Sequence, residues 1–245
     1  METDSKTTKA GQQQLLEKAD KLFDEEKYSD LLRTMVEQES WNDDADLLWR
    51  MARCKYTISK SEKDAKKANE SLRDSLVNVE RALELDRENG FAHKWAAILI
   101  DAVAASIGTR ERIEKTLIVR HHMEEAIRLI PQDATSHYLL GEWHYSLATT
   151  GWATRKIASL IFATLPDASL EQALDCFQKA EQVDPGFYSK NTLLTAKTLM
   201  SLDRDRDHVL QLLQQVVDKF SASQKWDDKE AVTEARSILK KMGVK

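Results

Sequence analysis

At 245 residues the chain can bury a substantial core, as one large domain or two small ones. Seven glycines and three prolines are little punctuation, and with 42% hydrophobic and 31% charged residues they point to an all-α protein. The net charge of -5 argues against a globally basic, nucleic-acid-binding surface. The two cysteines, Cys54 and Cys176, lie far apart without C-x-x-C spacing, which excludes a disulfide framework and implies a reducing compartment.

In chain order, residues 1–11 are polar and unpatterned, expected as a disordered leader with neither signal peptide nor anchor. No run approaches the ~18 apolar residues of a membrane span. A single domain over 12–245 is expected to follow. Leu15, Leu16, Ala19, Leu22 and Phe23 share one helical face, and Tyr28 to Val36 returns from it, giving a first hairpin over about 12–41. Asp43 or Asp44 is placed to cap the next helix, which carries Leu47, Leu48, Met51, Ala52 and Tyr56. Its partner runs through Leu72, Leu76, Val79, Ala82 and Leu83, so the second unit covers 45–87.

Three segment endings match. Ala82-Leu83-Glu84-Leu85-Asp86-Arg87, Ala126-Ile127-Arg128-Leu129-Ile130-Pro131 and Ala180-Glu181-Gln182-Val183-Asp184-Pro185 share one pattern, with register positions 44 and 54 residues apart. Together with Leu140-Gly141-x-Trp143-x-Tyr145 and Ala173-x3-Phe177, they read as tetratricopeptide (TPR) units. In such a unit small residues let two antiparallel helices approach and a Pro stops the second one. Units follow at 90–131, 134–185 and 188–220, with a capping helix at 227–242. The expected fold is an all-α, TPR-like, right-handed helical-hairpin solenoid with inserts. The spacings exceed the ~34 residues of a plain repeat, and about twenty extra residues, roughly Thr149 to Ala168, split the unit at 134–185.

There is no Gly-rich phosphate loop, no G-x-S-x-G and no Cys/His signature, so a non-enzyme without cofactor or metal is expected. His137 and His144 share a helix face but stand seven apart, not the four of H-E-x-x-H. In a TPR solenoid the first helix of each hairpin lines the concave groove. That register directs Phe91, Lys94, Ile98, Tyr138, Glu142 and Tyr145 toward it, with Thr192 and Leu199. Basic residues gather at Lys55, Lys60, Lys63, Lys66 and Lys67, again at Arg110, Arg112, Lys115 and Arg120, and at Lys240, Lys241 and Lys245. Each run reads either as a solvated face or as a local patch for an acidic partner. Gly151 to Phe162 reads as an extra helix with Trp152, Arg155 and Lys156 at its start and Ile157, Leu160, Ile161 and Thr164 at helical spacing. Such a helix either packs over the groove as a lid, enclosing an apolar ligand, or meets an anionic membrane or lipid.

Taken together, these residues resemble the regulator of microtubule dynamics family. The likeness rests on Leu48-Trp49-Arg50-Met51-Ala52-Arg53, on Ala82-Leu83-Glu84-Leu85-Asp86 followed by His93-Lys94-Trp95, and on His137-Tyr138-Leu139-Leu140-Gly141-Glu142-Trp143. Leu165-Pro166 and the segment from Ala173-Leu174 to Gly186-Phe187 extend it. The resemblance implies a non-enzymatic TPR-like adaptor associated with microtubules, the mitotic spindle and its regulatory proteins. It also implies phospholipid binding at membrane contacts, as in members anchored to mitochondria or endoplasmic reticulum. The expectation here is a cytoplasmic, cytoskeletal protein without the anchored members' N-terminal membrane segment.

Overall fold

The computed structural model describes residues 2–38, 41–162 and 166–243, with side chains from Gly11 onward, and every regular element among them is helical. The chain divides into two compact units, residues 1–129 and 130–245, where one continuous domain was expected. The division falls just before Pro131, at the second of the three matched endings.

The first unit consists of three hairpins: α1 (Glu2–Asp24) with α2 (Tyr28–Val36), α3 (Ala45–Ser61) with α4 (Ala65–Leu85), and α5 (Gly90–Ile107) with α6 (Thr109–Leu129). Trp41–Asp43 forms a short 3-10 turn before α3. Residues 2–11 are the opening of α1 rather than an unstructured leader. Extending a helix already nucleated by its packed C-terminal half costs far less than starting one. Leu16, Ala19, Leu31, Met35, Leu47, Met51 and Cys54 close one core, and Leu48, Ala52, Val79, Ala82, Ala92, Ala96 and Leu99 the next. The alanines on that list are fully or almost fully buried, which is how the helices come so close.

With 18 residues and mean hydropathy 1.2, α5 is long and apolar enough by composition to cross a membrane, contrary to the expectation that no run reaches such a length. Here its alanine face instead packs against α3 and α4.

The second unit contains α7 (Ala134–Ala148), α8 (Trp152–Ile161), α9 (Leu170–Val183), α10 (Ser189–Ser201), α11 (Arg206–Phe220) and α12 (Trp226–Lys241). Helix α7 pairs with α9 and α10 with α11, and α12 covers the last pair through Ala231, Val232, Ala235 and Leu239. Short polar residues start six of the described helices. Asp44, Asp64, Asn89, Asp133 and Asp205 accept backbone N–H groups of the first turn, and Ser169 and Gln172 form a capping box on α9.

Candidate functional site

The repeat register places one polar side chain at the same joint in each matched unit, six residues beyond Arg87, Pro131 and Pro185. The His93 Nε2–H donates to the Arg87 carbonyl at 2.9 Å, and the His137 Nε2–H to the Pro131 carbonyl at 3.0 Å. In the third unit Asn191 donates instead to the Phe177 carbonyl at 3.2 Å. The two histidine bonds satisfy carbonyls just past the ends of α4 and α6, whereas the Phe177 carbonyl lies within α9. A carbonyl only accepts, so Nε2 carries the proton of neutral His93 and Nδ1 is left as an acceptor. His122 fills that position, its Nδ1–H donating to His93 Nδ1 at 2.9 Å. Burial first, then the charges that His93 and His121 would carry, push the His122 imidazole down to about 4. These histidines are joints of the packed hairpins. Sequence reasoning missed the pair because its two members lie 29 residues apart and meet only when α6 folds back on α5.

A second network ties α1 to α3. Arg50 and Arg53 both reach the Asp20 carboxylate, at 2.8 and 2.7 Å, and the Arg53 guanidinium lies 3.8 Å from the Phe23 ring centre. Burial raises the Asp20 carboxyl, but the bonds and charges of the two arginines outweigh it and hold its pKa below the usual value. Both thiols are structural: burial pushes Cys54 up to about 12 and Cys176 up to about 11.

The groove residues separate. Phe91 is partly exposed, stacks on Trp49 with ring centres 5.0 Å apart, and has Lys94 Nζ 4.8 Å from its ring centre. Ile98 is half-buried. In the second unit Tyr138 does not line a surface. It is 4% exposed, packed with Ala173, Phe177 and Ala180, because the α7–α9 approach leaves room for a ring there. Its hydroxyl meets Glu142, and burial drives its pKa upward. Leu199 and Thr192 are likewise core residues. Tyr145 stays half-buried beneath Lys197, whose ammonium is 5.8 Å from the ring centre and 2.6 Å from Glu234.

The basic residues divide more sharply. Along α6, Arg110 pairs with Glu114 at 2.8 Å, Lys115 with Glu111 at 3.8 Å and Arg120 with Glu124 at 2.7 Å. Arg112 reaches across the hairpin to Asp101 at 2.7 Å. That segment is locally neutralised. At the α3–α4 turn, Lys55 is half-buried and spent on Asn78 at 2.9 Å, so it leaves the patch. Lys60, Lys63, Lys66 and Lys67 remain exposed at the hairpin tip against two carboxylates, Glu62 and Asp64, which are occupied with backbone N–H groups. Lys66 has one loose contact with Glu70 at 3.9 Å; Lys60, Lys63 and Lys67 make no ion pair among the described residues. Lys240 and Lys241 are exposed in the last turn of α12, and Lys245 lies outside the described residues.

Helix α8 is not a packed lid. None of its side chains is buried, with Trp152 78% and Leu160 83% exposed. Arg155 ties it to the end of α7 by donating to the Thr150 and Ala148 carbonyls at 3.1 and 3.2 Å. Thr164 lies outside the described residues.

This sequence matches the family model for regulator of microtubule dynamics proteins 1–3 over residues 15–243. The chain belongs to the regulator of microtubule dynamics family. It is 36% identical to regulator of microtubule dynamics protein 1 of Pongo abelii, over 93% of this chain and 71% of that protein. The Bos taurus protein 1 is 37% identical over the same shares, and the Mus musculus protein 2 is 30% identical over 92% of this chain and 55% of its own length. Among solved structures, a monomeric mutant of IFIT1 with Gppp-AAAA superposes with a TM-score of 0.41 at 12% identity, over 86% of this chain and 55% of that one.

Proposed function

We propose that this chain is a non-enzymatic, TPR-like adaptor that binds the acidic surface of microtubules and acts in spindle organisation and chromosome segregation. The reading places it in the cytoplasm, on the cytoskeleton and at spindle poles, alongside mitotic regulatory proteins. Its relatives are named regulators of microtubule dynamics. The observation that carries it within this chain is the lysine tip of the α3–α4 hairpin, where Lys60, Lys63, Lys66 and Lys67 face solvent. A protein of net charge -5 meets an acidic polymer through a local field of this kind, and such contacts weaken as salt screens them. The other reading, a phospholipid enclosed beneath α8, is disfavoured because α8 buries none of its side chains.

Co-sedimentation with taxol-stabilised microtubules at rising salt tests the proposal. The chain is expected to pellet at low salt and release as salt rises. Reversing Lys63 and Lys67 to Glu should weaken pelleting about tenfold, while the same change at Arg110 and Arg120 leaves it nearly intact. Failure to pellet at low salt, or equal loss from both variants, overturns it.

A further inference from the structure

We infer that His93 and His122 form a binding site for a single divalent transition-metal ion of the kind that imidazole prefers. The inference is independent of the microtubule reading and uses a different hairpin.

The joint between α5 and α6 accounts for one histidine, not two. His137 makes the same Nε2–H bond to its upstream carbonyl, at 3.0 Å, with Cys176 in the register place that His122 holds here. In the third unit Asn191 serves with no imidazole at all. The second ring at the α5–α6 joint is therefore not required by the packing.

Its placement fits a shared ion. The Nδ1 atoms of His93 and His122 stand 2.9 Å apart. Two nitrogens bound to one ion at ~2.0–2.1 Å, with an angle of about 90–110° between them, are themselves roughly 2.9–3.4 Å apart. His93 already has the outer support of a metal-binding histidine. Its Nε2–H donates to the Arg87 carbonyl at 2.9 Å, which leaves Nδ1 as the lone-pair nitrogen. To offer a lone pair of its own, His122 passes its proton through water from Nδ1 to Nε2. That nitrogen makes no hydrogen bond among the described residues, so the change of tautomer breaks only the bond that the ion replaces.

The cluster is also reachable. His93 is buried, His122 half-buried and the neighbouring His121 exposed, with ring centres 5.0 Å apart from His93 to His122 and 5.6 Å from His122 to His121. The rings thus run from the core to the surface of α6. No three metal-ligating side chains are grouped to hold an ion among the described residues, so the two imidazoles bind it and water fills the remaining positions. Imidazole selects Zn2+, Ni2+ and Cu2+ over Mg2+ and Ca2+, which take oxygen ligands. An ion held this way clamps α5 to α6 across the joint.

Titration calorimetry of the tag-free full chain with Zn2+ and with Ni2+ tests this, at neutral pH in a non-coordinating buffer with excess Mg2+. One ion should bind per chain with micromolar affinity and should raise the thermal midpoint. His122→Gln, which leaves the His93 bond to Arg87 in place, should weaken binding about tenfold or more and abolish that rise. His93→Asn, which borrows the side chain of the third joint, should do the same. His208→Gln, at an exposed histidine of α11, should change nothing, and His121→Gln should weaken binding less than either ligand variant. Failure to bind one ion, or affinity unchanged in both ligand variants, overturns the inference. So does a loss in His208→Gln as large as theirs, or a greater loss from His121→Gln than from His122→Gln, either of which would reduce the site to adventitious surface histidines.

Discussion

The α5–α6 and α7–α9 hairpins occupy matching register yet close in opposite ways. One glycine, Gly108, with φ at +152°, joins α5 to α6, whereas residues 149–169 separate α7 from α9. Both hairpins nevertheless bury the matching alanines Ala126 and Ala180, and both anchor a histidine to the carbonyl six residues upstream. Helix pairing is set by the side chains between the helices, not by the connection. Lengthening a flexible loop adds closure entropy only logarithmically, so the second hairpin can carry an extra helix at small cost. What differs is the filling. Ten residues beyond Pro131 stands Gly141, and three before Ala180 stands Phe177; the same positions in the other hairpin are Ala97 and Met123. A Cβ on Gly141 would lie 2.7 Å from the Phe177 ring and 3.1 Å from Cys176 Cβ. The glycine is there because the ring is.

The largest break of this comparison is expected from the ring itself. Phe177→Ala should cost about 3–5 kcal/mol, because Phe177 is fully buried at the α7–α9 crossing. Gly141→Ala follows at about 1–3 kcal/mol through overpacking. Combining Gly141→Ala with Phe177→Met, which recreates the filling of α5–α6, should cost clearly less than the sum of the single changes. Urea unfolding of the four proteins measures this coupling, and strict additivity would show that the two positions do not share one space.

A smaller effect separates the hairpins by pH. Since the His122 imidazole is pushed down to about 4 in the folded protein, its contribution to stability is complete above the ordinary histidine range. It is lost as pH falls from about 6.5 toward 4. Cys176, at the register position of His122, stays a neutral thiol across that window. Hydrogen exchange should therefore accelerate in α6 more than in α9 on acidification, and His122→Gln should flatten the difference.

The smallest expected change comes from the insertion. Replacing residues 150–168 by a short Gly/Ser loop should leave stability within about 1 kcal/mol, because α8 buries no side chain. Thermal or urea unfolding checks this; a large loss would mean that α8 packs after all.

The residues themselves fixed the all-α class, the antiparallel hairpins and the family. Small residues at Ala82, Ala126, Gly141, Ala173 and Ala180, together with Pro131, Pro185 and low Gly content, leave few other ways to bury the apolar faces. Such periodicity is local and legible without coordinates. Charge was legible only as a list of lysines and arginines. Whether a cation is free depends on which carboxylate lies within about 4 Å, and that is decided between helices, as for Arg112 with Asp101 and Arg50 with Asp20. Tyr138 illustrates the same limit: helical spacing gave it a face, and the approach of α9 turned that face into core. Helix α8 shows the converse. Its sequence announced an amphipathic helix, but only the tertiary structure determined that Trp152 and Leu160 point to solvent. Amphipathicity fixes which residues share a side, and the neighbouring elements fix where that side faces.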